Sequence, residues 1–389
     1  MKKTVFFACG ALAASLLFSA CQKEEKDGAL PEGTADVTID YDDFDVTSEN
    51  IGNLTAYALQ AATLLEADAK ALDEAWSVSF NDGEAYAVSF KNPGNGKLFT
   101  SYANCAEQIV SGCADIANEV GTSKIGSPRS LWENGSYKEA VYAVESWYSF
   151  HSIDDYTNNI YSIRNAFNGS VNGNEANASL ASYLKANKAD LYNEVKVAIN
   201  DAASAIQGIN APFRSHIGSS TVITAMDACS ALETVLTNQL KPYVMTIAEA
   251  DLKPIVETYT NEVVLPTYES LAKKNADLKS AVEALKASPS DATFEAAAEA
   301  WLNARQPWET SEAFLFGPVD ELGLDPNMDS WPLDVDAIKN ILATGDFSQM
   351  NWDDTQSAEA IEASQSVRGF HTLEFLLFKN GEPRTYTAE

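Results

Sequence analysis

A chain of 389 residues with 56 Asp and Glu against 26 Lys and Arg carries a formal net charge of -30. That sign excludes nucleic-acid backbones and anionic lipid faces as partners, since like charges would have to be brought together. Cations are left as natural partners, although an acidic surface more often serves solubility.

Residues 1–20 read as a signal peptide. Lys2 and Lys3 give a positive start, Thr4 to Phe18 is apolar, and the small pair Ser19-Ala20 precedes Cys21. The apolar run is shorter than the ~20 residues that a membrane span needs. A cysteine directly after the cut resembles the bacterial lipoprotein pattern, which implies acylation of Cys21. Residues 21–45 are polar and acidic, have little to bury, and read as a lipid-anchored tether. Lys23-Glu24-Glu25 resembles the acidic export signal of surface lipoproteins in the Bacteroides group. The expected address is therefore the outer membrane, facing the periplasm or, by preference, the cell surface. Membrane contact is expected through the anchor only.

The rest of the chain is dominated by helical periodicity, so the expected class is all-α. Ser48 to Trp76 carries Leu54, Tyr57, Ala58, Ala61, Leu64 and Leu65 at helical spacing. Asn81 to Lys97, with Asp82-Gly83, Pro93-Gly94 and Asn95-Gly96, reads as a loop or short hairpin. Further helices are expected over 98–120, 136–144, 153–167, 179–207 and 221–240. Another covers 265–287, and Ser290 or Asp291 caps the next, 294–316, which should end at Gly317-Pro318. A loop runs on to Pro332, a short helix starts at Asp334, and a last helix spans 355–378. The architecture expected is two packed antiparallel bundles, 46–250 and 251–389. Cys105 and Cys113 lie about 12 Å apart along one helix, too far to bridge, so either could pair only with Cys229.

The chemistry concentrates in the last ninety residues. Trp301, Arg305, Trp308, Glu309 and Glu312 follow at steps of three and four, the spacing of one helix face. Simple packing with an Arg305–Glu309 pair would explain that face equally well. His371 and Glu374 are three apart on a segment that is apolar on nearly every side, Phe370, Leu373, Phe375, Leu376, Leu377 and Phe378. A carboxylate and an imidazole buried there need partners, and a metal, Arg305 or Arg368 would each serve.

Together these segments resemble the imelysin-like family. The family pattern is a Trp-x-x-x-Arg-x-x-Trp-Glu-x-x-Glu helix, an aromatic-Gly turn, a Trp-Pro-Leu-Asp segment and a Gly-x-His-x-x-Glu helix. This chain has Trp301, Arg305, Trp308, Glu309 and Glu312, then Phe316-Gly317, Trp331-Pro332-Leu333-Asp334, and Gly369, His371 and Glu374. In most of the family those motifs occupy the first half, whereas here they end the chain. Glu145 to Asp155 resembles the second-module motif, so the resemblance implies two modules in circularly permuted order. It implies a ligand-binding cleft between the bundles, with His371, Glu374, Glu312 and Glu309 as metal ligands. Arg305, Trp308, Trp331, Asp334, Ser149, His151 and Asp155 would support them.

The family carries a metallopeptidase label and ties to iron uptake. Zinc peptidase helices need His-Glu-x-x-His or His-x-x-Glu-His, and Thr372 after His371 and Phe375 after Glu374 meet neither. Only His151 and His216 remain to complete a two-histidine set. The favoured reading is a binding protein for a metal ion or small metal complex, iron first and zinc as the alternative, served by an envelope transport partner. The alternatives are a metal-dependent peptidase and a surface interaction module whose His371/Glu374 pair is structural.

Overall fold

The computed structural model describes residues 44–353 and 355–386. Cys21, the signal peptide and the tether as far as residue 43 lie outside the described residues. Helix α1 (Ile51–Ser77) buries Leu54, Tyr57, Ala58, Ala61, Leu65, Ala69, Leu72 and Trp76, the stripe its spacing demands. Where a loop or hairpin was expected, residues 86–91 form α2 (Tyr86–Lys91). The turn dipeptides mark its flanks, and Tyr86 and Phe90, one turn apart, set their rings against Trp76 at 4.7 and 6.2 Å.

Helix α3 (Tyr102–Glu119) starts on Ser101, which accepts from Asn104 N–H, and widens into a π-turn at Val120–Lys124. Then follow α4 (Gly126–Glu133), α5 (Tyr137–Tyr142) and α6 (Ser152–Asn168). The single helix expected over 179–207 is two, α7 (Leu180–Asn187) and α8 (Ala189–Gln207), because Lys188 leaves the helical region. Helix α9 (Ser220–Val235) continues through a π-turn into α10 (Lys241–Val244). Helix α11 (Glu249–Tyr259) likewise leads through a π-turn into α12 (Leu265–Ala287), with Pro266 just after the turn.

Ser290 and Thr293 close a reciprocal capping box at the start of α13 (Asp291–Glu309). That helix ends before the expected Phe316. Thr310 and Ser311 hydroxyls donate to the carbonyls of Gln306 and Trp308 and help to satisfy the last turn, and a 3-10 turn, Glu312–Phe314, follows. The expected loop to Pro332 holds two short helices, α14 (Pro318–Glu321) and α15 (Leu324–Asp329). Asp334 accepts from Ala337 N–H at 2.9 Å and caps α16 (Val335–Thr344). The last expected helix is interrupted at 366–368, giving α17 (Ala358–Gln365) and α18 (Gly369–Leu377). Two-residue strands β1 (Phe378–Lys379) and β2 (Glu382–Pro383) pair antiparallel after it.

The chain is all-α, and its helices sort into two groups. In the first, α12 lies between α1 and α13, and α18 packs on α1 and α13. Helices α1 and α12 run antiparallel, since Glu66 pairs with Lys279 at 2.7 Å while Trp76 meets Tyr268 at 5.9 Å. The second group holds α3, α6, α8, α9 and α11, and α6 meets α13. The expected partition into 46–250 and 251–389 therefore does not follow the packing. Helix α1 spends its apolar stripe on α12, and the described residues form one compact unit.

The expected option of a Cys229 disulfide is also corrected. Cys105, Cys113 and Cys229 are all free and buried, and burial pushes each thiol up to about 12. No helix of the described residues is long and apolar enough to cross a membrane.

Candidate functional site

Two close backbone approaches assemble the site. Gly369 has φ +83°, and a Cβ there would stand 2.4 Å from the Met328 carbonyl oxygen. Glycine thus lets the end of α15, carrying Asp329, sit against the start of α18, two residues before His371. Gly112 does the same for α3, where a Cβ would meet the Ala313 carbonyl oxygen at 2.2 Å. That brings α3 and the following π-turn, which carries Lys124, against the 3-10 turn of Glu312.

At the centre is Arg305, 1% exposed. Its Nη2 pairs with Glu309 Oε1 at 2.6 Å and its Nη1 with Asp329 Oδ1, while Nε faces Asp155 Oδ2 at 3.5 Å. Trp308 Nε1 donates to Asp329 Oδ2 at 2.7 Å, and Asn159 donates to Glu309 Oε2 at 2.5 Å. His371 stands between two acids: Nε2 is 3.1 Å from Asp329 Oδ1 and Nδ1 is 3.4 Å from Glu374 Oε2. The Trp331 ring lies 4.8 Å from the imidazole, centre to centre. The other oxygen of Glu374 accepts from Ser149 N–H at 2.8 Å and from its hydroxyl at 2.7 Å.

A second buried cation enters from the other side. Lys124 Nζ lies 2.9 Å from Glu145, 3.9 Å from Glu312 and 4.0 Å from Glu119. Burial opposes its charge, yet those carboxylates hold the ammonium well above its ordinary range.

The carboxylates respond unequally. Burial raises Glu309 to about 8, with Asp155 and Asp329 adding to it against Arg305. Burial also pushes Glu312 well above the usual carboxylate range, beyond what Lys124 can offset. Asp329 goes the other way, because Arg305 and His371 overcome its burial and hold it well below that range. For His371, burial and Arg305 favour the neutral ring, but Asp329 and Glu374 outweigh them and hold it up at about 9. The site thus holds more carboxylates than its two cations offset, and burial makes the charged forms of Glu309 and Glu312 costly, a cost that a bound cation would relieve.

Of the expected ligands, Glu309 and Glu312 come together, although not on one helix. Their partner is Asp329, and one oxygen from each lies within 4.8 Å of the others. His371 and Glu374 do not belong to that group. Their nitrogens and oxygens are engaged by Asp329, by each other and by Ser149, and the pair stands beside the acidic triad. Arg305 and Trp308 hold that triad, Trp331 packs on His371, and Asp155 accepts from Ser146 Oγ at 2.5 Å while facing Arg305.

Ser149 sits on Glu374. His151 is placed one step out, its Nδ1 2.8 Å from the Ser149 carbonyl oxygen. Asp334 does not reach the site, being exposed and spent on its cap. His216 sits elsewhere, half-buried, with Nδ1 3.0 Å from the Pro212 carbonyl oxygen. Among the described residues no group of three or more metal-ligating side chains includes a histidine.

Sequence reasoning missed Asp329 and Lys124. Asp329 had a faint signal, since Leu324 and Met328 are four apart after Gly323 and mark a helix turn. Lys124 had none: a lone lysine in Gly-Thr-Ser-Lys-Ile-Gly reads as solvated.

The family described as Peptidase_M75: Imelysin matches residues 16–239 and 264–388, 349 of the 389. The chain belongs to the imelysin family. The crystal structure of an imelysin peptidase from Bacteroides ovatus superposes with a TM-score of 0.87 at 51% identity, covering 88% of this chain and 99% of that one. Iron-regulated protein A of Synechococcus elongatus is 32% identical over 168 residues, 43% of this chain. The chain covers 39% of that relative's length.

Proposed function

We propose that this imelysin is an envelope lipoprotein that binds a metal ion or small metal complex, iron before zinc, and hands it to an envelope transport partner. The observation that carries the reading is the convergence of Glu309, Glu312 and Asp329 where α13 and the 3-10 turn after it meet α6 and α3 of the other helix group. Three carboxylates suit hard cations, manganese and ferric iron among them, better than zinc, and likeness to a protein named for iron regulation favours iron. Arg305 and Lys124 stand in as counter-charges until a cation arrives. We infer further that the two modules run in permuted order relative to most of the family and that Cys21 carries the lipid.

A metal-dependent peptidase is the second reading, favoured by the name of that Bacteroides ovatus relative. Against it stand the missing second histidine beside His371 and the absence of imidazole from the triad. The third reading, a surface interaction module, treats the whole network as structural. Metal content after loading purified protein with ferrous or zinc ion, followed by a protease assay on the loaded protein, separates the three. Binding of about one ion per chain without proteolysis supports the proposal. Cleavage that is lost on chelation favours the peptidase, and no retained metal favours the structural reading.

A further inference from the structure

Far along α6 from the acidic site, the chain gathers positive charge. A recess of about 430 Å³ lies between the C-terminal end of α6, the loop that follows it, and α7 and α8, and Arg164, Lys185 and Lys196 all line it. Glu175 is its one carboxylate, and asparagines supply much of the remaining polar lining. Three cations in one recess are a marked local reversal in a chain of net charge -30.

Holding the loop down explains part of this. Glu175 accepts from Lys185 at 2.9 Å, from Lys196 at 3.0 Å and from the Tyr192 hydroxyl, and these donors lower it to about 2. One carboxylate thereby sets two ammonium groups side by side, each with donors left over. Arg164 is not explained that way. Its guanidinium lies 3.9 Å over the Tyr161 ring and donates to the side-chain oxygen of Asn165, a neutral partner. Stacking fixes the plane of the fork, half-buried, without neutralising it.

We infer that this recess binds a small molecule bearing at least two negative charges, a phosphate ester or a polycarboxylate. Arg164 supplies the oriented fork and Lys185 and Lys196 the point charges. The recess volume suits a metabolite-sized ligand, and Phe167 and Ile199 give its lining an apolar part. The acidic remainder of the surface repels such anions, so the recess is where they are retained.

Calorimetric titration of the chelator-treated full chain with pyrophosphate, and separately with tricarballylate, tests this. At least one probe should bind with Kd below about 1 mM and weaken as salt is raised. Arg164→Gln and Lys196→Gln should each weaken it by about tenfold or more, and Lys138→Gln, on a lysine outside the recess, should not. Circular dichroism melts confirm that the variants fold. Preference for pyrophosphate assigns a phosphate-bearing ligand and preference for tricarballylate a polycarboxylate. Failure of both probes to bind at about 10 mM, or binding untouched by Arg164→Gln and Lys196→Gln in folded protein, overturns the inference.

Discussion

Asp329 Oδ1 lies 3.1 Å from Nε2 of His371 and is at the same time an ion-pair partner of Arg305. One carboxylate from a short helix therefore ties the two family motifs together and also offers an oxygen to Glu309 and Glu312. The imidazole is oriented through it, as a histidine beside a metal is oriented through its outer partner.

Asp329→Asn should therefore be among the most damaging single changes in the chain. It leaves Arg305 and His371 buried with one counter-charge fewer, and breaking such a pair costs about 3–5 kcal/mol. The urea midpoint should fall accordingly at pH 7, with the slope unchanged. A loss under about 1 kcal/mol would mean that Arg305 is satisfied without Asp329.

Stability of the metal-free protein should decline as pH rises above neutrality. Glu309 and His371 both bind protons more tightly folded than unfolded, with values raised to about 8 and about 9. Their contribution is complete below the unfolded values of 4.5 and 6.5 and is lost as pH climbs through the folded ones. Asp329, held low, has the opposite sign, and its contribution disappears only in acid. Urea melts between about pH 6 and about pH 9.5 check this, and His371→Gln should flatten the upper part of the curve. A wild-type midpoint that rises with pH would contradict the charge states described.

Glu312→Gln separates binding from folding. Burial already disfavours the charged form of Glu312, and Glu145 lies nearer than it to Lys124, so a neutral amide of the same shape should cost about 1 kcal/mol or less. Metal binding should nevertheless drop by at least about tenfold, since a carboxylate ligand is gone. Calorimetry in two buffers of different ionisation enthalpy should also show protons released on wild-type binding, with affinity falling as pH drops through about 8. A variant that binds as wild type does would remove Glu312 from the ligand set.

Much of this was legible in the sequence, for definite reasons. The helix of Arg305 and the helix of His371 announce themselves by apolar spacing and by a serine cap at Ser290, and the structure packs them together, with Trp301 Nε1 donating to the Phe370 carbonyl at 2.9 Å. What periodicity could not show is where a helix stops. Thr310 and Ser311 end α13 through hydroxyl bonds to its last carbonyls, which moves Glu312 off the helix face assigned to it. Nor could it show partners brought in over long sequence distances. Asp329 depends on the backbone contact permitted by Gly369, and Lys124 on the one permitted by Gly112. Glycine in both places serves a contact between distant segments, which no local pattern announces.

Cys21→Ala tests the address. The variant should lose the acyl chains and move from the membrane fraction to the soluble one, as followed by fractionation and metabolic labelling with a fatty acid analogue. Membrane partitioning equal to that of wild type would remove the lipid anchor from the account.

The central claim is that the carboxylates of Glu309, Glu312 and Asp329 hold the metal. Anomalous diffraction at the iron edge, on crystals grown with iron, tests it most directly. The account predicts one strong peak within about 2.5 Å of an oxygen from each of the three side chains, absent in Glu312→Gln. A peak placed on His371 and Glu374 away from Asp329, or no peak in crystals soaked at saturating iron, would contradict it.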